Sequence, residues 1–230
     1  MLLPSVVAVL LSWSCLARAK AAVRPHPDTL HAGKATFYHA RSGMGTCTLP
    51  SEAPWDSFYV SLNHRDFAKS LACGACLIVH HDTDSVLVRV SDRCHGCRPG
   101  GLDLSRAAFR RLAPLGAGRI PVTWRFAPCP ESSLVVRRTK GSSSFWSSLQ
   151  AWGMPWPVES LSVADQERWI PFRRERHNHF TARHLPPTPW TLRTVDLRGF
   201  TRIDSAVALD PGARWPALDT APEVDSASGP

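Results

Sequence analysis

Short apolar runs separated by Gly and Pro dominate residues 34–129. Short runs rich in β-branched and other apolar residues at 35–38, 77–80, 86–90 and 121–126, bounded by turn residues, predict strands. One segment departs from that pattern. Ser105 offers an N-cap oxygen, and Leu104, Phe109 and Leu112 recur at helical spacing, which predicts a helix over about 106–112 with those three side chains toward the core. Past Pro128-Cys129-Pro130 the texture changes. Cysteine disappears, tryptophan becomes frequent, and β-type runs at 134–138, 169–172 and 190–195 predict a small antiparallel sandwich. Trp152, Trp156, Trp169 and Trp190 are expected in its core, and by composition alone so is Trp146. Residues 206–230 are rich in Ala, Asp and Pro and predict a disordered acidic tail.

The chain opens differently. Residues 2–16 are apolar and uncharged, and Ala17-Arg18-Ala19 offers a small-x-small cleavage site. The run falls short of the roughly 20 residues a membrane span needs. Residues 1–19 therefore read as a signal peptide, and no membrane span is expected. The formal net charge is +8. Positive charge is spread over the body, while Asp204, Asp210, Asp219, Glu223 and Asp225 face only Arg214 at the end. A basic exported protein suits an anionic surface such as a wall polyanion. Nucleic acid is not an expected partner outside the cell.

Cys15 leaves with the signal segment, so six cysteines remain: Cys47, Cys73, Cys76, Cys94, Cys97 and Cys129. Cys73-x2-Cys76, 17 residues, then Cys94-x2-Cys97 has the spacing of a zinc ribbon. An oxidising compartment and an even count favour three disulfides instead. Spacing leaves the connectivity open, with Cys94 to Cys97 the simplest local pair. Neither metal nor cofactor is expected.

The stretch Val90-Ser91-Asp92-Arg93-Cys94-His95-Gly96-Cys97-Arg98-Pro99-Gly100-Gly101-Leu102-Asp103-Leu104-Ser105 carries the candidate chemistry. Asp92 is expected at the end of a strand and Asp103 at the entry to the helix. Glycoside hydrolysis generally takes two carboxylates across the scissile bond. Asp103 is the candidate acid, and Asp92 is placed to orient substrate or to raise the pKa of Asp103 by like-charge repulsion. The opposing base is missing, because residues 33–51 contain no Asp or Glu.

Gly33-Lys34-Ala35-Thr36-Phe37-Tyr38, Ala72-Cys73-Gly74-Ala75-Cys76, Ser91-Asp92-Arg93-Cys94, Leu102-Asp103-Leu104-Ser105 and Pro121-Val122-Thr123-Trp124-Arg125-Phe126 occur in the order seen in the expansins and expansin-like proteins. The resemblance continues through residues 140–146, Pro157-Val158, His177-Asn178-His179-Phe180 and Asp196-Leu197-Arg198-Gly199. It implies a mainly β protein: a six-stranded double-psi β-barrel over 30–130, then an immunoglobulin-like β-sandwich over 131–205 acting as a family 63 carbohydrate-binding module. Thr36, Tyr38, Asp92 and Asp103 would line a groove, with Asp103 the essential carboxylate. Phe145, Trp146 and His177 would form a sugar-stacking row with Lys140 beside it. His177 stands where a larger ring is usual. Cys94 likewise replaces a groove Tyr. The implied disulfides are Cys47–Cys73, Cys76–Cys129 and Cys94–Cys97.

The function so implied is secreted and non-hydrolytic. The protein would bind cell-wall polysaccharide, chiefly cellulose with pectin and peptidoglycan as further candidates, and loosen non-covalent contacts as a monomer. Two alternatives differ in kind. One is a lytic transglycosylase or endoglucanase-like enzyme on the same barrel. The other is a barwin-like wall-binding effector.

Overall fold

A computed structural model describes residues 25–26, 28–38, 45–49, 57–130, 134–139, 141–207 and 209. The expected signal peptide, Lys140 and nearly all of the expected tail lie outside the described residues.

Six strands close into a barrel: β1 (His31–Tyr38), β2 (Tyr59–Asn63), β3 (Cys76–His81), β4 (Asp84–Cys94), β5 (Leu102–Ser105) and β6 (Ile120–Ala127). Their order is β1-β5-β2-β4-β3-β6. The β1/β5 and β2/β4 pairs are parallel and the rest antiparallel, the double-psi arrangement. Alternation drives closure. On β6, Ile120, Val122, Trp124 and Phe126 point inward, while Pro121, Thr123 and Arg125 are exposed. Val86, Val88 and Val90 do the same on β4, and the closed ring leaves no edge unpaired.

All four predicted strands of this half exist, but the pattern missed β2 and β5. These are short, and β2 buries Ser61 and Asn63 beside Val60 and Leu62, which erases the period-two signal. Strand β4 does not stop at Val90. Leu62 pairs with Arg93 and Asn63 with Cys94, so Asp92 sits within the strand rather than at its end. Asp103 likewise lies on β5. The helix α1 (Arg106–Arg110) is shorter than expected, and Ser105 caps it by accepting from the Ala108 amide at 3.1 Å. Leu104, Phe109 and Leu112 are buried.

Disulfides join Cys47 to Cys73, Cys76 to Cys129 and Cys94 to Cys97, with Cα separations of 5.4, 5.2 and 5.5 Å, as a disulfide requires. Cys73 and Cys76 thus go to different partners, and the ribbon-like spacing does not serve as a thiolate ligand set.

The second half packs two four-stranded antiparallel sheets. One is β10 (Arg168–Pro171), β9 (Val158–Asp165), β13 (Trp190–Asp196) and β14 (Thr201–Val207); the other is β11 (Arg173–Arg174), β12 (Phe180–Arg183), β8 (Trp146–Trp152) and β7 (Val135–Arg138). Leu134, Leu149, Leu161, Phe180, Trp190 and Leu192 fill the space between them. Of the four tryptophans expected in this core, only Trp190 is there. Trp152 and Trp156 pack against the barrel core at the seam, and Trp169 is half-buried beneath the Arg193 guanidinium at 4.5 Å.

Two latches span the seam. Buried Arg174 donates to the Ser70 carbonyl at 2.6 Å, and Ser70 donates to the Glu175 carbonyl at 3.0 Å. On the other side Gln150 donates to the Thr48 carbonyl at 3.0 Å.

Candidate functional site

Strand register assembles the barrel's polar site. Thr36 pairs with Asp103, Asp103 with Ser61, and Ser61 with Asp92, so the four lie in line across β1, β5, β2 and β4. Register partners share a face, and here it is the outer one, because Ala35, Leu102, Leu104, Val60 and Leu62 occupy the inside. Thr36 Oγ1 donates to Asp103 Oδ1 at 2.7 Å. Burial raises the Asp103 pKa above its ordinary value, and the Thr36 bond offsets part of that rise. Asp103 is therefore a carboxyl that keeps its proton more readily than usual and can either donate or accept.

Tyr38 packs edge-on against Tyr59 at 5.5 Å. Burial pushes its phenol up to about 12, against hydrogen bonds from Ser61 and Ser91 that act the other way. It stays a neutral donor at any physiological pH.

Asp92 differs from expectation. The β2/β4 register shifts between Val60 and Ser61, which makes Ser91 a bulged residue and turns Asp92. Its Oδ1 accepts from the Thr46 amide at 2.7 Å, the Thr46 hydroxyl at 2.6 Å and the Arg93 amide at 2.7 Å. Gly45 makes this approach possible: at φ +54° a Cβ there would lie 2.5 Å from the Ser91 carbonyl oxygen. Strand β2 separates Asp92 from Asp103, which puts their Cα atoms two strand spacings, about 10 Å, apart. Like-charge repulsion between them, one expected source of the Asp103 shift, is not among its causes.

The sandwich contributes a second surface. Along β8, Trp146, Ser148 and Gln150 point away from the core, and Arg183 on β12 faces Trp146 across the ladder. Phe145 is 59% exposed and Trp146 37%, which removes Trp146 from the core. The His184 ring stands edge-on to Phe145 at 4.8 Å. His177 is exposed in the turn before β12, where its carbonyl accepts from Thr48 Oγ1 at 3.1 Å. Beside Trp146 lies a cavity of about 650 Å³, lined by Arg173, Glu175, Thr181, Ala182 and Arg183 as well. Glu175 Oε1 accepts from Arg173 Nη2 at 2.6 Å and Thr181 Oγ1 at 2.9 Å, and the Arg173 bonds hold its carboxyl below the usual range. Among the described residues no side chain accepts from the Arg183 guanidinium.

Sequence reasoning missed Ser61, Ser91, Thr46 and Arg183. Ser61 was visible as a polar residue inside an apolar run, but only the register shows that it bridges Asp92 and Asp103.

Comparison with known proteins places this geometry. The family model described as lytic transglycolase matches residues 31–124. Expansin-YoaJ of Bacillus subtilis is 29% identical over 177 residues, covering 75% of this chain and 76% of that protein. Crystal structures of the Clavibacter michiganensis expansin, unliganded and as a variant in complex with cellohexaose, superpose with a TM-score of 0.75 at 28% and 27% identity, covering 84% of this chain and 97% of theirs. Over both of its halves the chain is similar to the expansins. A papain inhibitor of Streptomyces mobaraensis is also similar, 31% identical over 102 residues, 41% of this chain and 69% of that protein. The fold is mainly β with a double-psi barrel, and the disulfides are those the resemblance implies.

Proposed function

We propose that this protein acts as an expansin: it is exported after loss of residues 1–19 and loosens cell-wall polysaccharide without cutting it, as a monomer. The barrel, 30–130, grips a glucan chain through Asp103, Thr36 and Tyr38. The sandwich, 131–205, holds the polymer by stacking sugar faces on Phe145, Trp146 and His177, with Lys140 the basic member of the same ligand set. Cellulose is the main ligand, in keeping with the cellohexaose bound by the Clavibacter relative.

One observation carries the non-hydrolytic reading. The groove holds a single perturbed carboxyl, and the other carboxylate in line with it, Asp92, is occupied by Thr46. Strand β1, the opposite wall of the groove, has no acidic residue. The Asp103 carboxyl can hydrogen-bond glucan hydroxyls, which competes with chain-to-chain hydrogen bonds without breaking a glycosidic bond.

The test is creep of a heat-inactivated cell-wall strip under load, with soluble sugar assayed in the bath. Extension without sugar, lost in Asp103→Asn, is the expected result. Release of glucan or muropeptide fragments that depends on Asp103 would establish the lytic alternative, since a lyase-type cleavage needs only one carboxyl.

The cavity beside Trp146 supports pectin as a further ligand. Arg183 faces the ring that would stack a pyranose and can pair with a uronate carboxylate. Retention on de-esterified pectin should fall severalfold in Arg183→Gln and weaken with salt, while retention on cellulose should not change. Equal loss on both polymers would overturn the assignment.

A further inference from the structure

Asp92 is aligned with the groove, yet its hydrogen bonds run away from it. From Asp92 Oδ1 they pass to the amide and hydroxyl of Thr46. The neighbouring Cys47 amide donates to the Ser91 carbonyl at 3.1 Å, and the Cys47–Cys73 disulfide anchors the same segment to the barrel. Thr48 then meets the sandwich on four sides. Its carbonyl accepts from Gln150 at 3.0 Å and Arg137 at 3.5 Å. Its hydroxyl donates to the His177 carbonyl at 3.1 Å, contacts His179 Nε2 at 3.1 Å, and accepts a short bond from Gln150. His179 Nδ1 completes the link with Ser148 Oγ at 3.0 Å. Ser148 and Gln150 share the β8 face with Trp146.

Backbone strain marks this segment as held from outside. Thr48, a β-branched residue, sits at φ +50°, which costs free energy unless surrounding contacts over-determine it. The second latch is built alike: Ala68, Lys69 and Ser70 lie at φ +50°, +55° and +78°, pinned by Arg174.

We propose that Asp92 is a positioning residue, whose carboxylate oxygen fixes the segment 45–49 and through it the angle at which the Trp146 face continues the Asp103 groove. This rests on the reading of groove and face as one polysaccharide surface. Two sites on one body bind a long ligand more tightly than either alone, because the second contact is intramolecular, and that gain disappears when geometry forbids simultaneous engagement. Asp92 therefore acts on ligands long enough to span both halves and is silent toward short ones. The Arg174 latch keeps the halves attached when the Asp92 latch opens.

Calorimetric titrations with cellohexaose and cellotriose test this, alongside amide hydrogen exchange at Thr46 and Cys47. Asp92→Ala, Thr46→Val and Gln150→Ala should each weaken cellohexaose about tenfold, change cellotriose less than about twofold, and speed exchange at Cys47. Asp92→Asn keeps an acceptor oxygen and should restore most of the cellohexaose affinity. Equal loss of cellotriose in Asp92→Ala, or an Asp92→Asn as impaired as Asp92→Ala, would mean that the charge of Asp92 meets the ligand directly and would overturn the proposal. So would an inert Gln150→Ala, which leaves the groove untouched and tests the far end of the link. If the wild-type protein binds neither sugar, the functional reading fails by itself. Small-angle scattering of the unliganded protein then decides the positioning role: unchanged profiles in Asp92→Ala and Gln150→Ala would refute it, and a broadened distribution of shapes would support it.

Discussion

In the barrel two disulfides tie distant segments together and a third staples a tight turn, whereas the sandwich holds no cysteine and lays guanidinium groups over rings instead. Arg138 lies over Trp190 at 5.8 Å, Arg193 over Trp169 at 4.5 Å and Arg174 over Phe180 at 5.0 Å. The difference extends to what each half offers a ligand. The barrel presents half-buried hydroxyl and carboxyl groups, whose directional bonds select geometry. The sandwich presents exposed rings, whose contact is broad and tolerant of slippage along a polymer. In the proposed function the first surface grips one chain and the second holds a larger solid.

The largest expected effect breaks the covalent side of that contrast. Replacing Cys76 and Cys129 by Ala opens a link across 53 residues and should cost the barrel about 4 kcal/mol in the chain-entropy account. Replacing Cys94 and Cys97, three residues apart, should cost about 2 kcal/mol. Urea unfolding followed by Trp124 fluorescence and by sandwich tryptophans separately would show the barrel transition moving and the sandwich transition staying.

Next in size is the barrel's polar contact. Asp103→Asn should lose about 2 kcal/mol of groove binding, roughly thirtyfold in affinity, as expected for a hydrogen bond to an ionisable group. Its thermal midpoint at neutral pH should hold or rise. The folded-state pKa of Asp103 is raised, so its stabilising contribution belongs to the protonated form and is lost as pH climbs through that pKa. A calorimetric midpoint that drops would show that the carboxylate supports the fold rather than the site.

On the sandwich side, Trp146→Ala should weaken retention on cellulose by about tenfold, or about 1.4 kcal/mol, and be insensitive to salt. Phe145→Ala should do less, because its ring also packs against His184. A pull-down at two salt concentrations separates this stacking loss from the charge-dependent loss expected for Arg183→Gln.

The smallest effect concerns the barrel's far end. His31 stacks on Trp124 at 3.9 Å, and its Nδ1 is 3.7 Å from Asp66, too far for a hydrogen bond. Burial lowers its pKa below the ordinary 6.5 and outweighs the opposing pull of Asp66. The unfolded chain then binds more protons, so this contribution is complete above 6.5 and fades as pH falls through that value toward the lowered one. His31→Phe keeps the stack and should flatten the stability slope between pH 7 and 5 by less than about 1 kcal/mol. An unchanged slope in a thermal series would remove His31 from the account.

Much of the molecule was legible from residue order. Alternation is local, so β1, β3, β4 and β6 could be read from runs whose inward positions are all apolar. The Ser105 cap was readable for the same reason. Strands β2 and β5 were not, because both lie between two neighbours that bury polar side chains such as Ser61, and burial of that kind depends on partners from elsewhere in the chain. Asp103 could be singled out by its motif.

By itself the sequence determined the candidates: a carboxyl with no acidic residue facing it over 33–51, cysteines at spacings that allow three disulfides, and a pair of adjacent aromatics. Only the tertiary structure decided what each is free to do. Asp92 and Asp103 are 11 positions apart in one motif, yet a strand from elsewhere in the chain lies between them and a loop from β1 occupies one of them. Hydrogen bonds form between neighbours in space, and in a barrel with crossed parallel strands those neighbours come from distant parts of the chain.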